Sequence, residues 1–332
     1  MAVTQEQVKL KPNVIQVRTS FWRRVKRYRM AYAFIAPAVI VMLLVHIIPT
    51  VQAIYMSFLD LNTRTLLLYL RAPFVGLQHY EHILGGLIFG GKDTLIRGLS
   101  QALINSFWFL IIVQGGTLAF GLVFALLLNR QFRGRGLART LVLLPWVVPT
   151  FVVGIIWQFI WLQKGGLANR ILFDWLHLVD KPVTWLLLKN ARIALMIPAI
   201  WNGVPFMTVM LLSALQVVPP DLYEAATIDG ANTWQKFRYI TFPFLKPVIV
   251  ITTMFGIIFN FFGFGPYNIA ISLFNSDNLG RYVDLLTIAI VRQTFNNQLY
   301  GYGAAASVLV MIVALVFVGI WYRLFRSSLI NE

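Results

Sequence analysis

The segment that comes nearest to a recognised chemical site is GLIFGGKD, Gly86 to Asp93. A glycine, four residues, a second glycine and a lysine form the phosphate-cradling loop of many nucleotide-binding proteins. That loop needs a Ser or Thr after the lysine to hold magnesium, and Asp93 in this place would repel phosphate instead. We therefore interpret the segment as a chance glycine-rich loop and expect no ATP site in this chain.

Other common arrangements of reactive side chains are missing from the sequence. It contains no cysteine, which excludes disulfides, thiolate catalysis and cysteine metal sites. Its 12 acidic residues and 4 histidines form no paired-carboxylate, metal-ligand or nucleophile–base pattern. We therefore expect no catalytic residue, no cofactor and no metal in this chain, and no enzyme activity of its own.

Two clusters of aromatic and amide residues lie within long apolar runs. They are WNGVPF, Trp201 to Phe206, and FNFFG, Phe259 to Gly263. A sugar ring has apolar C–H faces rimmed by hydroxyls, so aromatic faces beside amides are suited to bind it. Polar groups at mid-membrane are costly and usually face the interior of a bundle. The alternative is that Asn202 and Asn260 hydrogen-bond neighbouring helices while the aromatic residues only pack.

Membrane-spanning helices must position these clusters. The 332 residues are 58% hydrophobic and 12% charged, with a mean hydropathy of +0.73, which is too apolar for a soluble domain. Polar residues inside the apolar runs, such as Asn105 and Gln114, are interpreted as interhelical hydrogen bonds rather than ligand contacts. Runs of about twenty apolar residues predict an all-α, polytopic bundle of six transmembrane helices. They are Tyr32–Met56, Leu103–Leu128, Thr140–Leu162, Ala194–Leu215, Val248–Leu273 and Ala304–Phe325.

The net charge of +16 is explained by membrane orientation, and we expect no nucleic-acid partner. Eight Lys or Arg residues precede the first span, and the positive-inside rule places such an end in the cytoplasm. An even number of spans returns the C-terminus to the same side. The first run is too long for a signal-peptide core, so we expect it to remain as a span. Residues 1–30 are thus a predicted basic cytoplasmic tail, and residues 31–102 the first span with an external segment.

A polar, helix-forming segment from Pro219 to Pro247 separates two of the apolar runs. Asp221 lies three residues before Glu224, which is the spacing of a capping box. Gly230 is placed to end this first helix in the left-handed conformation, which glycine adopts at little cost. The pattern predicts a short helix that is closed at both ends.

A second short helix is predicted to follow in the same segment. Asn232 or Thr233 can cap its start, and Pro243 and Pro247 are expected to stop it. Such a pair of helices is either an interfacial element resting on lipid headgroups or a projection that fits a partner's groove. The capping and the arrangement of acidic residues and glycine favour the second interpretation.

The segment resembles the cytoplasmic EAA loop of bacterial ABC-importer permeases. The matching residues are Glu224, Ala225, Ala226, Asp229, Gly230 and Ala231, followed by Ile240 and Pro243. A further stretch, Ala125 to Trp161, is similar to the second-to-third span region of carbohydrate-importer permeases. The combined match runs from about Leu103 to Phe325, and within the family the chain resembles the maltose-type first permease subunit.

The resemblance implies a type I ABC importer permease fold, with the permease domain over residues 103–326 and its coupling loop over residues 216–247. It implies a multi-pass protein in the lipid of a bacterial inner or plasma membrane, paired with a second permease subunit. Two ATP-binding subunits would bind ATP and magnesium and dock on the loop. An extracytoplasmic solute-binding protein would deliver the substrate, a sugar such as an oligosaccharide or related glycoside.

Motif alignment with the maltose-type permeases implies five substrate-contacting positions. They are Gly203, Phe206, Phe259, Asn260 and Gly263. Two of them match in kind, whereas Phe206 replaces a tyrosine and Gly263 an amide, which predicts a less polar site. Two alternatives stay open: an ABC permease for a non-sugar solute, and an ATP-independent secondary transporter or channel. The latter should show intramembrane charges or inverted repeats, and neither is evident.

Overall fold

A computed structural model of the chain describes residues 26–89, 94–276 and 279–329. Most of the predicted tail at 1–30 lies outside these residues, as does the second half of the glycine-rich segment. Within the described ranges the regular structure is helical, and the β pairing is an isolated antiparallel bridge between Leu59 and Phe74.

The described chain includes the following eleven helices. In chain order they are α1 (Arg29–Met56), α2 (Gln78–Phe89), α3 (Thr94–Asn129), α4 (Arg135–Val147), α5 (Thr150–Ile160), α6 (Asn190–Val217), α7 (Pro220–Ile228), α8 (Thr233–Phe262), α9 (Phe264–Phe274), α10 (Leu286–Val291) and α11 (Tyr300–Leu329). Five of them are long and apolar enough to cross a membrane, or six crossings if α4 and α5 count as one bent span. The prediction of an all-α, polytopic membrane bundle is confirmed.

Contacts divide the chain into two units, with the boundary between Ala53 and Ile54. Most of α1 belongs to the first unit, and exposed apolar side chains surround this helix, as on a lipid-facing span. The predicted division into residues 1–30, 31–102 and 103–326 stays a prediction.

The third predicted span, Thr140–Leu162, corresponds in the structure to a bent pair of helices. Helices α4 and α5 meet at an angle of 100°. Pro149 has no N–H to continue the helix, and the residue before a proline is pushed into extended backbone. Val148 accordingly has φ −73° and ψ 125°. The bend divides the predicted span into two helices.

The fifth predicted span, Val248–Leu273, also has different ends in the structure. The predicted second loop helix continues into this span without interruption. The two form one helix, α8, which begins at Thr233 and ends at Phe262. Gly263 is extended, with φ −85° and ψ 164°, and α9 follows it as a separate helix.

The expectation that Pro243 and Pro247 stop the loop helix is therefore wrong. A π turn over Phe237–Thr241 precedes the first proline, and the Phe242 N–H bonds to the Phe237 carbonyl five residues back. A π turn changes the hydrogen-bond register locally, so the helix continues although Pro243 lacks an N–H.

Close packing of small residues holds the bundle together around these bends. A Cβ on Gly121 of α3 would lie 2.5 Å from Met207 Cγ on α6, so only glycine allows the two helices to approach this closely. The α5 and α9 helices meet at Gly154, where a Cβ would lie 2.0 Å from Ser272 Oγ. The second halves of both broken spans thus pack against each other.

Candidate functional site

Helices α3, α6, α8 and α9 and the α4–α5 bend enclose a cavity of about 510 Å³. Its wall combines aromatic rings with amide and hydroxyl groups, among apolar neighbours. The aromatic and polar members are Gln114, Thr117, Trp146, Thr150, Asn202, Phe206, Thr252, Phe255, Phe259 and Asn260. The cavity is of the size that ligand sites commonly have, roughly 300–1,000 Å³.

Four of the five predicted substrate positions lie on this cavity. They are Gly203, Phe206, Phe259 and Asn260. Gly263 is not among the residues that line it in the described chain. It occupies the break between α8 and α9, where a Cβ would lie 2.4 Å from the Phe259 carbonyl oxygen. Glycine at this position therefore allows the break, whereas its predicted contact with substrate stays untested.

The aromatic rings of the cavity wall are partly exposed rather than packed away. Phe259 is 52% exposed and Phe206 is 38% exposed. The Trp146 and Phe206 ring centroids are 6.1 Å apart, so these two rings form one aromatic corner. Gly265 lets the Phe259 ring lie close against α9, since a Cβ there would be 2.4 Å from Phe259 Cζ.

The two asparagines of the apolar clusters already have hydrogen-bond partners. Asn202 Nδ2 donates to the Pro145 carbonyl on α4 at 2.8 Å. Asn260 Nδ2 donates to the Gly256 carbonyl on its own helix at 2.9 Å and lies 3.5 Å from Gln114 Oε1. The interhelical alternative thus describes Asn202 and, through the longer bond to Gln114, Asn260 as well, although the Asn260 amide also lies on the cavity wall.

Sequence reasoning missed the contribution of α3 to the cavity. Gln114 and Thr117 are both buried, and Gln114 Nε2 and Thr117 Oγ1 have no hydrogen-bond partner within the described chain. Gln114 Oε1 does accept the expected interhelical hydrogen bond, from Asn260 Nδ2 at 3.5 Å, but its place on the cavity wall was not predicted. The spacing was a signal, because Gln114 and Thr117 are three residues apart and such residues share one face of a helix.

The predicted coupling loop is a closed helical element at the end of α6. Gly230 has φ 76°, as predicted for the residue that ends α7. The Ala231 N–H bonds to the Ala226 carbonyl at 2.8 Å and the Gly230 N–H to the Thr227 carbonyl at 3.1 Å. This pair of bonds is a Schellman motif, which satisfies the last carbonyls of the helix.

The start of α8 is capped as predicted, but the start of α7 is not. Asn232 Oδ1 accepts from the Gln235 N–H at 2.9 Å, and Gln235 Oε1 accepts from the Asn232 N–H at 2.8 Å. The prediction that Asp221 caps α7 is wrong, because Pro219 is the N-cap residue and Asp221 lies inside the first turn. Pro220 fits the first helical position, so the helix begins two residues earlier than predicted.

Side chains attach α7 to α8. The Tyr223 hydroxyl lies 2.9 Å from Thr241 Oγ1, and Lys236 Nζ donates to Thr227 Oγ1 at 2.8 Å. The opposite side of α7 is exposed, including Ile228 at 87%. Of the predicted coupling residues, Glu224, Ala225, Asp229 and Gly230 are exposed, and Ala226 and Ala231 are half-buried.

Comparison with known proteins identifies the class. Residues 117–331 match the family described as "Binding-protein-dependent transport system inner membrane component". That span is well over half of the chain, so the chain belongs to this family. It is a multi-pass membrane permease of a binding-protein-dependent importer, as the sequence resemblance predicted.

Individual relatives agree with this assignment. The trehalose/maltose transport system permease protein MalF of Thermococcus litoralis is 33% identical over 312 residues, which cover 90% of this chain and 94% of that protein. The trehalose transport system permease protein SugA of Mycobacterium tuberculosis is 30% identical over 306 residues, covering 92% and 91%. A solved structure, a bacterial alginate ABC transporter in complex with alginate pentasaccharide-bound periplasmic protein, superposes with a TM-score of 0.75 at 22% identity, covering 93% and 98%. It establishes the importer permease fold.

Proposed function

We propose that this permease carries a sugar, an oligosaccharide or related glycoside, through the cavity between α3, α6 and α8. The observation that carries the proposal is the combination of partly exposed Phe206 and Phe259 rings with the Gln114 and Asn260 amides on one wall. Rings bind the C–H faces of a sugar, and amides bind its hydroxyls. The names of the relatives, for trehalose and maltose transport, support the same substrate class.

Partners complete the proposed transporter. A second permease subunit pairs with this one, and two ATP-binding subunits bind the ATP and magnesium. An extracytoplasmic solute-binding protein presents the sugar on the opposite side of the membrane. The loop of α7 lies in the cytoplasm with both chain termini, and Glu224, Ala225, Ala226, Asp229, Gly230 and Ala231 form its contact with an ATP-binding subunit.

The continuity of α8 supports a direct path from the ATPase to the sugar. The helix begins beside α7, to which it is bonded at Thr241, and extends without a break to Phe259 and Asn260 on the cavity. A movement of α7 imposed by the closing ATPase dimer therefore reaches cavity residues through one continuous helix. In this way the ATPase would select between two arrangements of the bundle, one open to each side of the membrane.

The coupling role is tested in proteoliposomes that contain the complete transporter. Glu224→Lys and Gly230→Pro should abolish ATP hydrolysis stimulated by the sugar-loaded binding protein, while membrane insertion is unchanged. Asp180→Lys is the matched control, because it makes the same charge change at an exposed residue far along the chain from the loop. Unchanged hydrolysis in both loop variants would contradict the coupling role.

The substrate class is tested separately, by the solutes that stimulate hydrolysis in the unmutated transporter. Oligosaccharides and related glycosides should stimulate it, and Phe259→Ala should remove the stimulation. Stimulation by amino acids or ions alone would favour the non-sugar alternative. Uptake that proceeds without ATP would favour the secondary transporter or channel.

A further inference from the structure

Arg139 on α4 has an unusual environment for an arginine. Its Nε and Nη2 atoms are buried and have no hydrogen-bond partner within the described chain. Arg135, one turn earlier, is different, because its Nε donates to the Leu128 carbonyl at 2.7 Å. A guanidinium remains charged at any physiological pH, and a buried charge without a partner is strongly unfavourable. The described residues therefore leave two guanidinium nitrogens of Arg139 without the anion that would stabilise them.

A second cavity, of about 220 Å³, adjoins this side chain. It lies where α3 and α6 end and α4 begins, which is the end of the bundle from which α7 projects. Arg139, Thr208, Ser213 and Gln216 supply its polar atoms, and the rest of the wall is apolar. The cavity is separate from the proposed sugar path and shares none of its lining residues.

The donors available in this cavity indicate the charge of its ligand. Thr208 and Ser213 donate their hydroxyl hydrogens to their own helix, to the Val204 and Val209 carbonyls at 2.8 and 2.9 Å. The N–H groups of Arg139 and the Gln216 amide are left as donors. Arginine presents N–H groups in a planar fork that matches the oxygens of a phosphate or carboxylate.

No carboxylate of the described chain fills this role. Among the described residues, the acidic side chains at this end of the bundle are Asp221, Glu224 and Asp229, and all three are exposed on the coupling loop. The described ion pair elsewhere in the chain joins Asp284 and Arg292. The described residues thus leave the guanidinium open to an anion from a separate molecule.

We propose that the cavity binds the phosphate of an anionic membrane lipid, with Arg139 as its anchor. Leu137, Leu141 and Leu144 form an exposed apolar stripe on α4, so this helix faces the hydrocarbon of the membrane. The apolar wall accommodates the first carbons of a lipid acyl chain. A free phosphate ion has no apolar part and would gain nothing from this wall. Basic pockets between helix ends are known to hold lipid headgroups.

The full chain in nanodiscs provides the test. Phosphatidylglycerol should raise the thermal unfolding temperature of the unmutated protein, and diacylglycerol with the same acyl chains should not. Native mass spectrometry should show that Arg139→Gln lowers phosphatidylglycerol retention at least about fivefold, since a charge-assisted contact is lost. Arg133→Gln, which removes the same charge from an exposed side chain of the preceding loop, should leave retention unchanged.

Three results would overturn the proposal. One is equal stabilisation of the unmutated protein by phosphatidylglycerol and diacylglycerol, a measurement that does not depend on the folding of any variant. Another is an equal loss of retention in Arg139→Gln and Arg133→Gln, because that would indicate general attraction to basic residues. The third is stabilisation by inorganic phosphate that matches phosphatidylglycerol, which would assign the cavity to a soluble anion.

Discussion

The side-chain amide of Asn202 donates a 2.8 Å hydrogen bond to the main-chain carbonyl of Pro145. In an α-helix that carbonyl would accept from the N–H four residues later, but the residue there is Pro149, which has none. Asn202 therefore satisfies a carbonyl that the bend leaves without a partner. It connects α6 to the α4–α5 bend at the wall of the larger cavity.

Replacing Asn202 by Leu should destabilise the protein by about 1–3 kcal/mol, because the Pro145 carbonyl is left without a donor. Thermal unfolding in detergent measures the change. Asn190→Leu is the control, since its amide bonds to the Thr184 carbonyl at an exposed site. Equal unfolding temperatures for both variants would show that the bend does not depend on Asn202.

Replacing Gly230 by Ala should weaken the coupling loop through backbone strain alone. No atom lies within 4 Å of a Cβ at this position, but φ is +76°. The left-handed conformation costs an L-residue about 1–2 kcal/mol, and Asn tolerates it better. Sugar-stimulated ATP hydrolysis should therefore decrease in the order Gly, Asn, Ala at this position.

The control for this series is Gly85→Ala, at a helical glycine that also has open space around its Cβ position. It should leave hydrolysis unchanged and slightly stabilise α2, because alanine favours helix. An equal decrease in Gly85→Ala and Gly230→Ala would mean that the loop conformation is not the cause.

Local features of the loop could be predicted from sequence, whereas features that depend on distant partners could not. Gly230 and Asn232 act on residues within five positions of them, so their roles follow from the local sequence. The continuation of α8 through Pro243 depends on a π turn, for which the sequence carries no clear signal. The role of Gln114 depends on α8 lying beside α3, which only the assembled bundle specifies.

Replacing Phe206 by Tyr should strengthen sugar binding. The ring lies at the cavity and is 38% exposed, so a hydroxyl can extend into it without displacing packed atoms. One added hydrogen bond of about 0.5–1.5 kcal/mol corresponds to roughly a two- to tenfold lower sugar concentration for half-maximal hydrolysis. Phe151→Tyr is the control, since that exposed ring on α5 does not line the cavity. A rise in the half-maximal concentration for Phe206→Tyr would contradict the proposed sugar path.

Replacing Gly256 by Ala should impair transport by displacing Gln114. A Cβ at this position would lie 2.0 Å from Gln114 Oε1, so the amide would have to leave its place beside Asn260. The second variant, Gly256→Ala with Gln114→Ala, removes the clash together with the amide. If Gln114 binds the sugar, the double variant should regain the unfolding temperature of the unmutated protein but not its sugar-stimulated hydrolysis. Recovery of both would mean that Gln114 only packs against α8, and recovery of neither would mean that Gly256 serves helix packing beyond this one side chain.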